Sequence, residues 1–390
     1  ILSMIKIDYI NLNYDKEELN TSLELYLKFL IISGLFYITP SFQFVMFQSN
    51  NVVNCYYNFK CKYAWSFIPA FNNIISNLLY IIYGLVYIII VRFKRGNLYE
   101  LKDLGIYRNK SLYYSLGLCL IFEGISSSLY HICPSRLNLQ FDTTFMFIGI
   151  LYSYLTLYNK RHTGDLCNPL KFYILIFMLI ILNILSLRNK STTTHIWFWS
   201  LIFLITSYCL VFTSIYIYSR QMYDFDLKSL RIFIDLIRND NLIRNPKFWL
   251  ILFSNSFTLG MLVYASFFKP YFTGWLLCIG IVNLSIYFIY YLITKIINKE
   301  KIRPFIFWLI LLDLILLIIS LFFYTNTDYD TFVSIQDSNK LNRECVLFNY
   351  FDNHDIWHFM SSTTLFVFVI IVLFIDYDLE YSREEIIESV

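Results

Sequence analysis

The sequence predicts an all-α polytopic transmembrane helical bundle of about ten spans, and three observations carry that prediction. Of 390 residues, 57% are hydrophobic and 15% charged, whereas a soluble domain carries about 25% charged residues. The apolar residues gather into runs of about 20, the helical length that crosses a hydrocarbon core roughly 30 Å thick. The loops between the runs alternate between basic and nearly neutral, as the positive-inside rule requires of a membrane protein.

The runs fall at 24–46, 73–93, 113–132, 142–159, 171–188, 195–218, 248–267, 271–293, 304–324 and 355–376. Residues 1–23 read as a cytoplasmic N-terminal segment, 24–376 as the transmembrane domain and 377–390 as a cytoplasmic tail. Loops 92–110, 160–171, 219–247 and 294–303 hold 19 Lys and Arg, against 8 in loops 48–70, 132–141, 188–194, 268–272 and 325–353. The first set is therefore assigned to the cytoplasm and the second to the lumen or cell exterior, with both termini cytoplasmic. A net charge of +3 excludes a basic domain that grips nucleic acid through its phosphates. The chain opens at Ile1 with no signal-peptide pattern before the first run, and reads as a fragment or a processed form. With 33 Tyr and 38 Phe, aromatic content looks compositional, so no single Tyr or Phe is given a role.

Of eight cysteines, Cys55, Cys61, Cys133 and Cys345 fall in exoplasmic loops, where disulfides persist. Four cysteines allow three pairings, and sequence alone does not choose among them. Cys119, Cys209 and Cys278 lie in spans as small packing residues, and Cys167 reads as a cytoplasmic free thiol.

Three of the five histidines stand at the exoplasmic ends of two spans. His131 closes the third span, and His354 and His358 open the tenth at spacing i, i+4, which places both on one helix face. Ser127 lies one turn before His131, and Asp142 opens the fourth span at the same depth. Three neutral imidazoles with one open position suit catalytic zinc, which lowers the pKa of its water toward about 7. Asp142 is assigned to hold or deprotonate that water, and Ser127 to donate to a developing oxyanion. The plainer reading of each histidine is a polar cap at the interface. Asp355, directly after His354, is a rival base that echoes the metalloprotease His-Glu-x-x-His pattern.

Glu123, one turn before Ser127, is a carboxylate within a span and is assigned to support the site, with helix–helix hydrogen bonding as the bland alternative. Asp313 is also intramembrane and is left without a role. His162 and His195 read as interfacial residues, and Asn189-Lys-Ser191 fits a glycosylation acceptor close to the membrane.

These residues sit in motifs that resemble a known family. Cys55-Tyr-Tyr-Asn-Phe-Lys-Cys61, Phe71-Asn-Asn-Ile-Ile-Ser-Asn77, Glu123-Gly through Tyr130-His131-Ile-Cys-Pro134, Gln140-Phe-Asp142-Thr, Leu157-Tyr-Asn-Lys-Arg-His162 and His354-Asp-Ile-Trp-His-Phe-Met-Ser-Ser362 look like the membrane core of the systemic RNA interference defective (SID) transmembrane family. That family belongs to the CREST superfamily, with alkaline ceramidases and progestin/adipoQ receptors. The resemblance implies a CREST-like seven-helix core with additional helices, of which this chain carries the last ten spans of eleven. It also implies zinc flanked by Ser127, Asp142, His131, His354 and His358. For function it implies transmembrane uptake of double-stranded RNA or cholesterol, in a plasma or endolysosomal membrane. Zinc-dependent ceramide or phospholipid hydrolysis is the alternative, and a non-catalytic sterol-binding or trafficking protein with structural zinc is the second. Membrane lipids, cholesterol and double-stranded RNA are the expected partners, and homodimerisation is left open.

Overall fold

The computed structural model describes residues 16–49, 55–66, 68–94, 110–160, 169–188, 198–207, 246–268 and 270–377. The chain is all-α: among the described residues the only extended pairings are two isolated bridges, Trp65 with Ile68 and Leu347 with Phe351. The helices are α1 (Lys16–Ser49), α2 (Phe71–Ile75), α3 (Leu78–Lys94), α4 (Lys110–Ile132), α5 (Leu139–Asn159) and α6 (Pro169–Arg188). After them come α7 (Phe198–Ser207), α8 (Pro246–Phe268), α9 (Phe272–Ile297), α10 (Pro304–Thr325), α11 (Ile335–Lys340) and α12 (Asn353–Phe374).

Eight of these stretches are long and apolar enough to cross a membrane by length and composition, Leu23–Ser49 and Phe71–Lys94 among them. Of the remaining two expected spans, α5 has the length, at 21 residues, but carries Asp142, Thr143 and Thr144 in its first turns. The other, 195–218, is described only over α7. The first helix starts at Lys16, earlier than the apolar run, and continues through Pro40. His162, His195, Asn189, Ser191, Cys167 and Cys209 lie outside the described residues, as do most of 1–23 and of the tail 377–390.

The run expected at 73–93 is broken near its start. Ser76 Oγ donates to Asn73 O at 2.8 Å and Asn77 Nδ2 to the same carbonyl at 3.0 Å. Short polar side chains that bond nearby backbone compete with the helical ladder, so α2 ends at Ile75 and α3 begins at Leu78.

The chain divides into two compact units, one formed by 1–180 with 302–390 and the other by 181–301. In the first, α4 is the hub: it packs against α1, α3 and α5, while α12 packs against α3 and α10. Nearly every α4 residue from Ser111 to Ile132 is buried or half-buried, whereas α10 keeps most of its surface exposed, as a lipid-facing helix does. The α3–α4 crossing is close because glycines face each other: a Cβ on Gly84 would lie 2.7 Å from Gly117 O, and one on Gly117 would lie 2.6 Å from Ile88 Cγ1. Small residues at such crossings let helix backbones approach where lipid offers no hydrophobic drive.

In the second unit, Leu182, Ile202, Leu262, Ala265, Phe272 and Trp275 form an apolar cluster. Hydrogen bonds join its helices, among them Thr273 Oγ1 to Asn183 Oδ1 at 2.7 Å and Trp275 Nε1 to Met261 O at 2.9 Å. Cys278 is exposed on the surface of α9 and so does not pack inside as expected, whereas Cys119 is buried.

Replacing Gly84 by Val forces a side chain onto the backbone of α4, where nothing yields cheaply. Gly84→Val is expected to cost about 1–3 kcal/mol, read as a lower midpoint of thermal unfolding in detergent. An unchanged midpoint would show that the α3–α4 crossing tolerates separation.

Candidate metal centre

One end of the first unit is built by short segments that two disulfides hold together. Cys55 pairs with Cys133 and Cys61 with Cys345, with Cα–Cα separations of 4.9 and 5.0 Å. Backbone and side-chain bonds run parallel to them: Tyr56 N donates to Pro134 O at 2.7 Å and Tyr57 Oη to Ile132 O at 2.6 Å. Asn342 accepts from Phe59 N and donates to Asp328 O. Asp328 in turn receives Asn353 N and Nδ2, both at 3.0 Å. Burial pushes the Asp328 carboxyl above the usual carboxylate range, against the pull of those two donors and of Arg343.

The turn at 133–138 returns the chain so that α5 starts beside the end of α4. Asn138 Nδ2 secures the turn on Cys133 O at 2.7 Å, and Ser126 Oγ donates to Phe141 O at 2.6 Å. Asp142 thereby meets Ser127, whose hydroxyl donates to Asp142 Oδ1. α12 arrives from a different direction, its start fixed by a capping box. Asp352 Oδ1 accepts from Asp355 N at 3.0 Å, and Asp355 Oδ2 accepts from Asp352 N at 3.2 Å. His354 and His358 follow, one helical turn apart.

The structure brings His131, His354 and His358 together, one nitrogen of each lying within 4.8 Å of the others. Ring centroids are 4.6 to 5.0 Å apart, and all three residues are buried. His131 Nε2 and His358 Nε2 stand 3.3 Å apart. Two nitrogens bound at about 2.0–2.1 Å to a tetrahedral ion are separated by about 3.3 Å. Ser76 Oγ lies within hydrogen-bond distance of both Asn73 O, at 2.8 Å, and His358 Nδ1, at 2.8 Å. With the proton on Nδ1, His358 donates to Ser76 Oγ and keeps an Nε2 lone pair facing the centre, the tautomer that a metal bound at Nε2 requires. Asn77 Nδ2 lies 3.3 Å from the same Nδ1. His131 Nδ1 and both ring nitrogens of His354 have no hydrogen-bond partner. Buried polar atoms left in that state are costly unless something else engages them, and three convergent neutral imidazoles fit a zinc ion.

Ser127 spends its proton on Asp142, so donating to an oxyanion requires that hydroxyl to turn. Asp355 serves the capping box and accepts Asn72 Nδ2 at 3.2 Å. Glu123 is buried on the face of α4 that carries Ser127 and His131, with Oε2 unpartnered. Asp313 stands on α10, apart from the centre, and its Oδ1 is also unpartnered. Sequence reasoning gave no role to Asn72, Ser76 and Asn77, although four polar residues at the head of an apolar run were the available signal. Tyr329, whose ring lies 5.6 Å from that of His354, left no signal in a chain so rich in Tyr.

Fold and site together define a multi-pass helical membrane protein with a buried three-histidine centre at its disulfide-bearing end. The chain belongs to the family of the dsRNA-gated channel SID-1, whose family model matches residues 6–388. It is 30% identical to SID1 transmembrane family member 1 of Mus musculus over 395 residues, 95% of this chain and 47% of that protein. It is 28% identical to cholesterol uptake protein 1 of Caenorhabditis elegans over 389 residues, 94% of this chain and 51% of that protein. The chain spans about half the length of the curated relatives it matches.

Metal analysis of the purified chain tests the centre. His354→Ala is expected to lose bound metal outright. Ser76→Ala, which frees the His358 ring, is expected to weaken affinity roughly 10- to 100-fold. Equal metal content in parent and His354→Ala protein would end the metal reading.

Proposed function

We propose that this chain is the membrane part of a SID-type uptake protein for double-stranded RNA or cholesterol, and that His131, His354 and His358 hold a zinc ion in its exoplasmic leaflet. The zinc assignment is carried by the buried histidine trio, in which His354 has no other hydrogen-bond partner. Uptake is supported by family membership over 6–388 and by the likeness to a cholesterol uptake protein across nearly the whole chain. The exoplasmic side of the centre is supported by the two disulfides beside it, which belong to oxidising compartments, and by the basic loops assigned to the other face. Cells expressing the chain are expected to import labelled cholesterol or labelled double-stranded RNA above mock-transfected cells, and His354→Ala to reduce that import. Import of both cargoes at the mock level would remove the uptake reading for this chain.

A second reading, zinc-dependent hydrolysis of a membrane lipid amide or ester, is favoured by one contact, the Ser127–Asp142 hydrogen bond beside the histidines. When bound, zinc supplies Lewis-acid polarisation and a water of lowered pKa. Asp142, steadied on Oδ1 by Ser127, keeps Oδ2 to accept a proton from water, and Ser127 can turn to donate to the substrate oxygen. With ceramide and phospholipid as substrates, Asp142→Asn is expected to lower turnover by about 10²- to 10⁴-fold. Identical product formation by parent and variant would exclude the hydrolase.

A further inference from the structure

α4 and α5 face each other through a polar seam that continues away from the histidines. Ser127 meets Asp142, Glu123 lies beside the Met146 backbone, and a Cβ on Gly149 would lie 3.8 Å from Cys119 Cβ. In the same antiparallel register the seam passes Ser115 on α4, then Ser153 and Thr156 on α5, all buried. It ends at Lys160, whose ammonium pairs with Asp376 Oδ2 at 3.0 Å in a buried ion pair. The α4 members recur every fourth residue from Ser115 to His131. That is a rise of about 24 Å at 1.5 Å per residue, most of a hydrocarbon core roughly 30 Å thick.

The seam is under-bonded along its length. His131 Nδ1 at its head, Glu123 Oε2 near its middle and Asn159 Oδ1 at its far end are buried without a partner. Ser115 and Thr156 donate their protons to the carbonyls of the preceding turn, Ser111 O at 2.8 Å and Tyr152 O at 2.7 Å, so their oxygens remain as acceptors. Buried polar atoms left open in this way are what internal waters satisfy, at two to four bonds each. The titratable groups facing Glu123 are Asp142 from α5, Tyr37 from α1, Tyr80 from α3 and Cys119 on its own helix. Ionisable side chains inside a membrane segment mark ion and proton routes, and helix gluing alone leaves no reason for Glu123 to keep an oxygen unbonded.

We propose that the α4–α5 seam is a hydrated proton path, with Glu123 as its relay, joining the histidine end to the Lys160–Asp376 end. A proton held by the Glu123 carboxyl passes through water to the Asp142 carboxylate and leaves Glu123 ionised. Glu123 takes its next proton from water entering beside Asn159, and Asp142 releases its own to water at the histidine end. Reverse flow uses the same groups in the opposite order.

The full chain reconstituted into phosphatidylcholine vesicles tests this, with a trapped pH-sensitive dye, potassium and valinomycin to clamp voltage, and an imposed proton gradient. Vesicles with the parent protein are expected to acidify faster than empty ones, and Glu123→Gln to remove most of that difference. Glu123→Asp is expected to restore part of it, Thr156→Val to slow it, and Asp313→Asn, on α10, to leave it unchanged. Zinc content equal to the parent's in each variant separates loss of the path from loss of the centre. Parent vesicles no faster than empty ones overturn the path; full-rate conduction by both Glu123→Gln and Thr156→Val overturns the seam as its route.

Discussion

Asp352 and Asp355 hydrogen-bond each other's backbone amides, and this reciprocal pair decides where α12 begins. A helix end that loses its cap gives up roughly 0.5–2 kcal/mol, but position matters more here than energy. His354 stands between the two capping residues, so the rotation of the first turn is also the rotation that aims both α12 histidines at His131. The cap is tied in turn to Asn72, which donates to Asp355 Oδ2 and to Cys61 O and accepts from Tyr63 N. Cys61 is bonded to Cys345. A disulfide, an asparagine and a capping box thus form one continuous support under the centre.

Lipid cannot satisfy a polar group, so the first unit keeps its polar atoms where helices cover them. α4 meets that condition by taking the central place, and α10 by presenting apolar side chains almost all round. α5 is the instructive intermediate. Its Asp142, Thr143, Thr144, Ser153 and Thr156 are buried against neighbours, which lets a helix of ordinary length carry this many polar side chains inside the bundle. In the second unit, by contrast, polar groups such as Asn283 with Ser254 and Thr258 join one helix to the next.

Much of this was legible in the sequence because two periodicities are strong. Apolar runs of span length gave the helices, and the fourfold spacings of Ser127 with His131 and of His354 with His358 gave helix faces whose depth could be compared. The disulfide pairing was not legible, since it depends on how the 55–66 and 326–352 segments cross, a matter of tertiary contact. The break at Ser76–Asn77 was hidden by the apolar residues on either side, and with it the Ser76 contact to His358 Nδ1. Asp355 reads as a base from its place beside His354, yet its carboxylate faces back to the helix start, a direction that sequence adjacency does not encode. Cys278 was misjudged because a small apolar residue in a span suits a lipid-facing surface as well as a packed one.

His131 and His358 are 227 positions apart along the chain, which has a consequence for how the protein is made. At about 5–20 residues per second of synthesis, α4 exists for about 10–45 s before α12 emerges. Throughout that interval His131 lacks both histidine neighbours, and the cap that aims them has not yet formed. Cys61 waits longer than Cys55 for its partner, since Cys133 follows Cys55 by 78 residues while Cys345 follows Cys61 by 284. The histidine trio therefore comes together only after α12 has been made, long after α4 has entered the bundle.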